Sequence, residues 1–246
     1  MQEKTKDYIF GIHAITEALK SGKSIDKIQL SRELSGETFA EIRQLAKSRN
    51  VTIQSVPIEK INRITRKNHQ GIIAWISPVA FCKIEDVLPG IFEQGETPFI
   101  LVLDGVTDVR NFGAMVRTAD CAGVHAIIIP DKGSARINAD AMKTSAGALN
   151  RVPVCKVSVL SGTVKFLKNS GIKVLGITEK GTENLYSQKL DEPLALIMGS
   201  EETGISTQVM KHVDVLTRLP MKGKIASLNV SVAAGVVMYE VLRQRH

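Results

Sequence analysis

Three stretches of this 246-residue chain place polar side chains where an apolar run breaks off. The first is Leu103-Asp104-Gly105-Val106-Thr107-Asp108-Val109-Arg110-Asn111-Phe112-Gly113-Ala114-Met115-Val116-Arg117. It reads as a strand, a polar loop and the start of a helix, with Asn111 and Arg117 about one and two-thirds turns apart on that helix. An amide and a guanidinium there could orient a hydroxyl or a phosphate. They could equally be a helix cap and a solvated surface charge. The second stretch, Ala195–Ser206, runs a buried strand into an acidic loop bounded by Gly199 and Gly204, with Glu201 and Glu202 between them. Glycines let a ligand approach the backbone, and free N–H groups at a following helix start can bind it. An ordinary strand-to-helix turn would use the same residues. The third, Leu219–Gly235, carries a basic glycine loop, Met221-Lys222-Gly223-Lys224, into Ser227, Leu228 and Asn229 before an apolar helix. Ser227 or Asn229 would cap that helix by satisfying its orphan amides.

Other chemistries lack their residues. There is no G-x-G-x-x-G fingerprint and no G-x-x-x-x-G-K-[ST] loop, which disfavours the usual dinucleotide and ATP sites. The five histidines are scattered and form no readable Ser-His-Asp grouping. Cys82, Cys121 and Cys155 are far apart with no C-x-x-C pair, which suggests reduced, mostly buried thiols and neither a disulfide framework nor a metal site.

The elements that must position these loops follow from periodicity. In the first part of the chain, Ile25–Leu30 and Val51–Val56 alternate as strands. Phe39, Ile42, Leu45 and Ala46 mark a helix within Gly36–Asn50, Pro57 opens a short helix, and Gly71–Ile76 reads as a buried strand. Residues 79–97 look like a connector holding at most a short helix. The second part starts with Phe99–Leu103, a continuous apolar strand of the kind buried on both faces of a parallel sheet. A helix over Asn111–Ala122, a strand at Ala126–Ile129, a helix near Asn138–Ser145 and a strand at Val152–Val157 follow. Then come a helix at Val159–Asn169, strands at Ile172–Ile177, Leu194–Met198 and Val213–Leu219, and a final helix from Asn229 to Gln244. The expected division is 1–78 as a small α/β domain, 79–97 as a linker and 98–246 as an open α/β domain. Periodicity alone would draw that sheet unknotted, because threaded chains are rare.

The apolar fraction, 43%, is enough to build real cores, so disorder is not expected. No apolar run reaches the ~18 residues of a membrane span, and Met1–Asp7 leads into no signal-type apolar core, so the expected compartment is the cytoplasm. The net charge of +7 comes from two basic blocks around an acidic connector. Basic and acidic residues number 13 and 8 in 1–78, 1 and 4 in 79–97, and 18 and 13 in 98–246. A basic surface favours a polyanionic partner, though a merely soluble basic protein has the same balance.

Taken together and in this order, the three loops closely resemble the sequence motifs of the SpoU methyltransferases, within the SPOUT superfamily. Gly11-Ile12-His13-Ala14-Ile15 and His69-Gln70-Gly71-Ile72-Ile73-Ala74 resemble that family's N-terminal substrate-binding domain. The architecture is similar to that of the bacterial enzymes that methylate a guanosine ribose in 23S ribosomal RNA. Two positions depart from the usual motifs: Val109 stands where a proline is common, and Glu201-Glu202 where Glu-Gly is common. The resemblance implies an α/β fold whose catalytic domain carries a trefoil knot, preceded by a small RNA-binding domain, in a homodimer with its cofactor sites near the interface. It implies S-adenosylmethionine as cofactor, held by Thr178, Met198, Gly199, Leu219, Met221 and Leu228. It further implies a catalytic group of Asn111, Arg117, Glu201, Asn229 and, less centrally, Ser227, with Asn111 positioning Arg117 or the ribose. Guanidinium groups are poor proton acceptors, so phosphate anchoring and alkoxide stabilisation suit Arg117 better than a base role. RNA contacts are expected at Arg110, Arg136, His69 and Lys222, with Arg63, Arg66, Lys67, Lys224 and Gln70 as further candidates. Two alternatives remain at this point: the same chemistry on transfer RNA, and a non-catalytic RNA-binding or assembly factor.

Overall fold

The computed structural model describes residues 7–49, 51–225 and 227–246. Met1–Lys6, Asn50 at the end of the helix expected within Gly36–Asn50, and Ala226 in the third loop lie outside the described residues. The chain divides into two compact units, one of residues up to Ala80 with Ile137–Ala139, the other of Phe81–Arg136 and Asp140–His246.

The first unit contains β1 (Tyr8–Phe10), α1 (Ile12–Lys20), β2 (Ile25–Ser31), α2 (Glu37–Ser48), β3 (Thr52–Val56), α3 (Ile58–Asn62) and β4 (Ile72–Ile76). Its sheet has the order β1-β4-β2-β3, with β4 antiparallel to both neighbours and β2 parallel to β3. Successive side chains of a strand face opposite ways. Ile72 and Ala74 therefore join Ile15, Leu19, Ile28, Leu30 and Ile42 in one core, while Ile73 joins Val56 and Ile61 in a smaller cluster on the other face. Pro57 caps α3 with an extended backbone, as its fixed φ permits.

The second unit comprises β5 (Phe81–Cys82), α4 (Ile84–Glu93), β6 (Phe99–Asp104), α5 (Val109–Cys121), β7 (Ala126–Pro130), α6 (Ala139–Thr144), β8 (Val154–Val157), α7 (Leu160–Asn169), β9 (Lys173–Ile177), β10 (Glu183–Asn184), β11 (Leu194–Gly199), α8 (Thr207–Met210), β12 (Val215–Arg218) and α9 (Val230–Arg245). Its eight-stranded sheet has the order β10-β12-β9-β11-β6-β7-β8-β5, and every described pairing is parallel. From β6 the chain steps outward through β7 and β8, then returns to build β9, β11 and β12 on the other side. Ile100, Val102, Ala126, Ile128, Val174, Ala195 and Ile197 face a core closed by α4 and α7 through Ile84, Leu88, Ile91, Leu160, Val164 and Leu167. The intervening residues Leu101, Ile127, Leu175 and Leu196 are equally buried, which is why these strands read as unbroken apolar runs.

Residues 79–97 are therefore more than a connector. Phe81 and Cys82 pair in parallel with Val154 and Cys155, and α4 buries three side chains in the main core. The Pro, Gly and acidic residues that suggested a linker lie on or beside an amphipathic helix. The thiols also differ from expectation: Cys155 is buried, Cys82 half-buried and Cys121 exposed. Burial, aided by the nearby Cys82, Glu85 and Asp86, pushes the Cys155 thiol up to about 12.

Near the end of α9, Arg245 acts as a clamp. Its guanidinium donates to the carbonyls of Thr97 at 2.8 Å, Pro98 at 3.1 Å and Glu192 at 2.8 Å, and sits 5.1 Å from the Phe99 ring centroid. It thereby ties the last helix to the segments that lead into β6 and β11.

Candidate functional site

The carboxyl ends of β12, β9, β11 and β6 lie side by side, and Gly199 at the end of β11 is in register with Asp104 at the end of β6. Crevices outside such strand ends are where open α/β sheets hold ligands. The loop leaving β11 is pinned at both ends. Ser200 and Gly204 exchange backbone hydrogen bonds of 3.1 and 3.0 Å, and Thr203 N–H donates to Ser200 Oγ at 3.0 Å. At the far end, Ser206 N–H donates to Asp104 Oδ2 at 2.7 Å. Gly204 takes a φ of +68°, which favours glycine. A Cβ at Gly199 would lie 2.2 Å from the Gly204 carbonyl carbon, so only glycine fits where strand and loop close on one another.

Glu201, at the head of this loop, joins three elements. Its Oε1 accepts hydrogen bonds from Asn111 Nδ2 at 3.1 Å, Asn229 Nδ2 at 3.0 Å and Val230 N–H at 3.3 Å. Asn229 Nδ2 also donates to Asn111 Oδ1 at 3.1 Å. Asn229 is the N-cap of α9, its Oδ1 accepting from Ser231 N–H at 2.9 Å, Ser231 Oγ–H at 2.6 Å and Val232 N–H at 3.4 Å. These bonds fix the orientation of the Asn229 amide. On α5 the cap is Asp108, whose carboxylate accepts from Asn111 N–H at 2.7 Å, so the Asn111 side chain is released to reach Glu201. Three residues separated by up to 118 positions thus form one polar hub.

Beside the hub opens a cavity of about 490 Å³, within the range of small-molecule sites. All six expected cofactor residues, Thr178, Met198, Gly199, Leu219, Met221 and Leu228, line it, together with Glu201, Ser227 and Asn229. Ile177, Ile205 and Leu216 supply further apolar wall, and Glu179, Lys180 and Glu202 supply charge. Thr178 is held in a tight turn, its N–H donating to Thr217 O at 2.9 Å and its carbonyl accepting from Gly181 N–H at 3.1 Å. Near the same turn, a Cβ at Gly181 would lie 2.4 Å from the Thr217 carbonyl carbon. Apolar side chains, exposed strand-end backbone and a few charges suit a nucleoside carrying an amino acid. Among the described residues no cluster of His, Cys, Asp and Glu could hold a metal ion.

Arg117 is not drawn into this group. It stands on the exposed face of α5, does not line the cavity, and makes no hydrogen bond or ion pair among the described residues. Six helical residues turn through about 600°, which leaves Arg117 well away from the Asn111 direction but nearly in line with Arg110. The expectation that Asn111 positions Arg117 is thereby corrected: the Asn111 amide is committed to Glu201 and Asn229. Ser227 lines the cavity but makes no hydrogen bond among the described residues. Arg110 and Lys222 are exposed, and Arg136 is half-buried. His69, in the first unit, accepts Gly71 N–H at Nδ1 (3.0 Å), so Nε2 carries the proton and donates to Asn62 Oδ1 at 2.8 Å. Asp104, Glu179 and Lys180 were missed from sequence. Only the first had a signal, a polar residue ending an apolar strand before a glycine, here Gly105 at φ +79°.

Residues 98–239 match the SpoU rRNA Methylase family, and residues 8–82 match the RNA 2′-O ribose methyltransferase substrate-binding family. The chain is 36% identical over 240 residues to the putative TrmH family tRNA/rRNA methyltransferase YacO of Bacillus subtilis, covering 98% of this chain and 96% of that one. It is 39% identical over 241 residues to the 23S rRNA (guanosine-2′-O-)-methyltransferase RlmB of Photorhabdus laumondii, covering 97% and 98%. In fold it is similar to the SpoU methyltransferase AviRb from Streptomyces viridochromogenes, solved in complex with AdoMet, with a TM-score of 0.62 at 21% identity over 99% of this chain and 94% of that one. With both units matched and the motif loops meeting around one cavity, the chain belongs to the SpoU rRNA methylase family of RNA 2′-O-methyltransferases.

Proposed function

We propose that this protein transfers a methyl group from S-adenosylmethionine to the ribose 2′-oxygen of a guanosine in 23S ribosomal RNA. One observation carries the reading: a cavity at the adjacent ends of β12, β9 and β11 is bounded on one side by the Asn111–Glu201–Asn229 hub. The donor, when bound, supplies an electrophilic methyl group on a sulfonium. The residues of this chain do the rest. Met198, Gly199, Leu219 and Leu228 line the space for it, and Ile177, Ile205 and Leu216 exclude water. The polar hub orients the ribose, because in-line attack demands tight positioning. Arg110 and Arg117, seven residues apart on the exposed side of α5, attract RNA phosphates.

The choice of 23S RNA rests on the Photorhabdus relative's named substrate and on the first unit's match to a substrate-binding family. The Bacillus relative's name covers both tRNA and rRNA, so transfer RNA is the rival substrate. The same reading includes a homodimer, the knotted passage in the last third of the catalytic unit, and a cytoplasmic setting. On α9, which packs against α5, Val232 and Tyr239 lie seven residues apart and are half-exposed, a surface suited to a second copy. The test of the substrate is a map of 2′-O-methyl groups in RNA from cells lacking this protein. Loss of one guanosine methylation in 23S RNA is expected. Unchanged ribosomal RNA with a lost tRNA mark would contradict it. Arg117→Ala should lower methyl transfer by about 100-fold, and parental activity would remove Arg117 from the mechanism.

A further inference from the structure

The 2′-hydroxyl must lose its proton as it attacks, and the residues around the cavity narrow what can take it. No histidine lines the space. Its charged walls are Lys180 and the carboxylates Glu179, Glu201 and Glu202. Glu179 and Glu202 are exposed and make no hydrogen bond among the described residues, so nothing holds them in one place. Glu201 differs. Its Oε1 is fixed by three N–H donors from the starts of α5 and α9, while its Oε2 has no partner among the described residues. A carboxylate anchored through one oxygen and open at the other is a preorganised proton acceptor, placed where the donor cavity meets the hub.

We propose that Glu201 Oε2 accepts the ribose 2′-hydroxyl proton. This rests on the methyl-transfer reading above. The O2′–H bond breaks to Glu201 Oε2 as the O2′–CH₃ bond forms and the S–CH₃ bond breaks. The sulfur leaves as a neutral thioether, and the carboxyl later returns its proton to water. The other charged groups near Glu201 are Glu202 on its own loop, Glu179 and Lys180 across the cavity, Asp104 at the end of β6, and Asp108 and Arg110 at the start of α5. The first turn of α9 brings none.

Glu201→Gln separates this role from a purely structural one. The glutamine carbonyl can accept the same three N–H bonds while an NH₂ replaces Oε2. We expect the variant's kcat to fall at least about 100-fold. Calorimetric affinity for S-adenosylhomocysteine should stay within about threefold, and the melting midpoint should hold, since neither depends on Oε2. The parent's single-turnover rate should fall in heavy water, because the O2′–H bond breaks in the methyl-transfer step, and the variant's residual rate should fall less. A variant that methylates within about threefold of the parent makes Glu201 a positioning residue and overturns the proposal. So does a parent whose single-turnover methyl transfer shows no solvent deuterium isotope effect, a result that does not depend on the variant folding. A parent that neither binds the donor nor transfers methyl overturns the methyltransferase reading, and this inference with it.

Discussion

Asn229→Ala removes both halves of an asparagine that the structure uses twice. Its oxygen caps α9, and losing such a cap costs about 1 kcal/mol. Its Nδ2 donates to Asn111 and Glu201, both solvent-accessible, so each bond counts at the low end, about 0.5 kcal/mol. The sum, about 2 kcal/mol, lowers the melting midpoint of the second unit by about 4–8 °C. Asn229→Ser retains a capping oxygen but cannot reach the hub, so it should lose about half as much. The assay is calorimetric unfolding of the cofactor-free protein, with urea titration as a second probe. If Asn229→Ala costs under about 0.5 kcal/mol, or if the alanine and serine variants unfold together, the cap and the hub do not share this residue as argued.

Arg245→Ala breaks four carbonyl contacts, the fourth from Nε to Leu190 O at 3.4 Å, and the packing on Phe99, and should cost about 3 kcal/mol in urea denaturation, with lysine a poor substitute because it lacks the planar fork. Gly199→Ala forces the Gly204 backbone away, so S-adenosylhomocysteine affinity should drop by about tenfold or more in calorimetry while the fold persists. Cys155, with its thiol pushed up to about 12 by burial, should resist iodoacetamide at pH 8 in the native protein, whereas exposed Cys121 reacts first, as read by peptide mass spectrometry.

Much of the scaffold was legible because its signals are local. Phe99–Leu103 and Leu194–Met198 are unbroken apolar runs, and both are inner strands of the parallel sheet. The capping reading of Asn229 also follows from a polar residue placed before an apolar helix. What escaped was short or long-range. β1 and α1 carry Tyr8–Phe10 and the helical spacing of Ile12, Ile15 and Leu19, yet the periodicity reading assigned no strand or helix before Ile25. Two-residue strands such as Phe81–Cys82 have too few positions to show a period, so a segment of the second unit's core passed for a connector. Arg117 illustrates the opposite limit. Its place beside Asn111 in sequence says nothing of the roughly 120° that separates their directions on a helix. Likewise, no sequence pattern marks the Asp104–Ser206 tie or the choice of Glu201 as the common acceptor, since both depend on which strand ends lie side by side.

The central claim is that this cavity and its hub hold a methyl donor against one sugar hydroxyl. The direct measurement is transfer of tritiated methyl from S-adenosylmethionine to unmethylated 23S RNA by the purified protein, followed by nuclease digestion and identification of the labelled nucleoside. Label in 2′-O-methylguanosine at a single position is the predicted result. Label on a base, or no label despite bound donor, would contradict it.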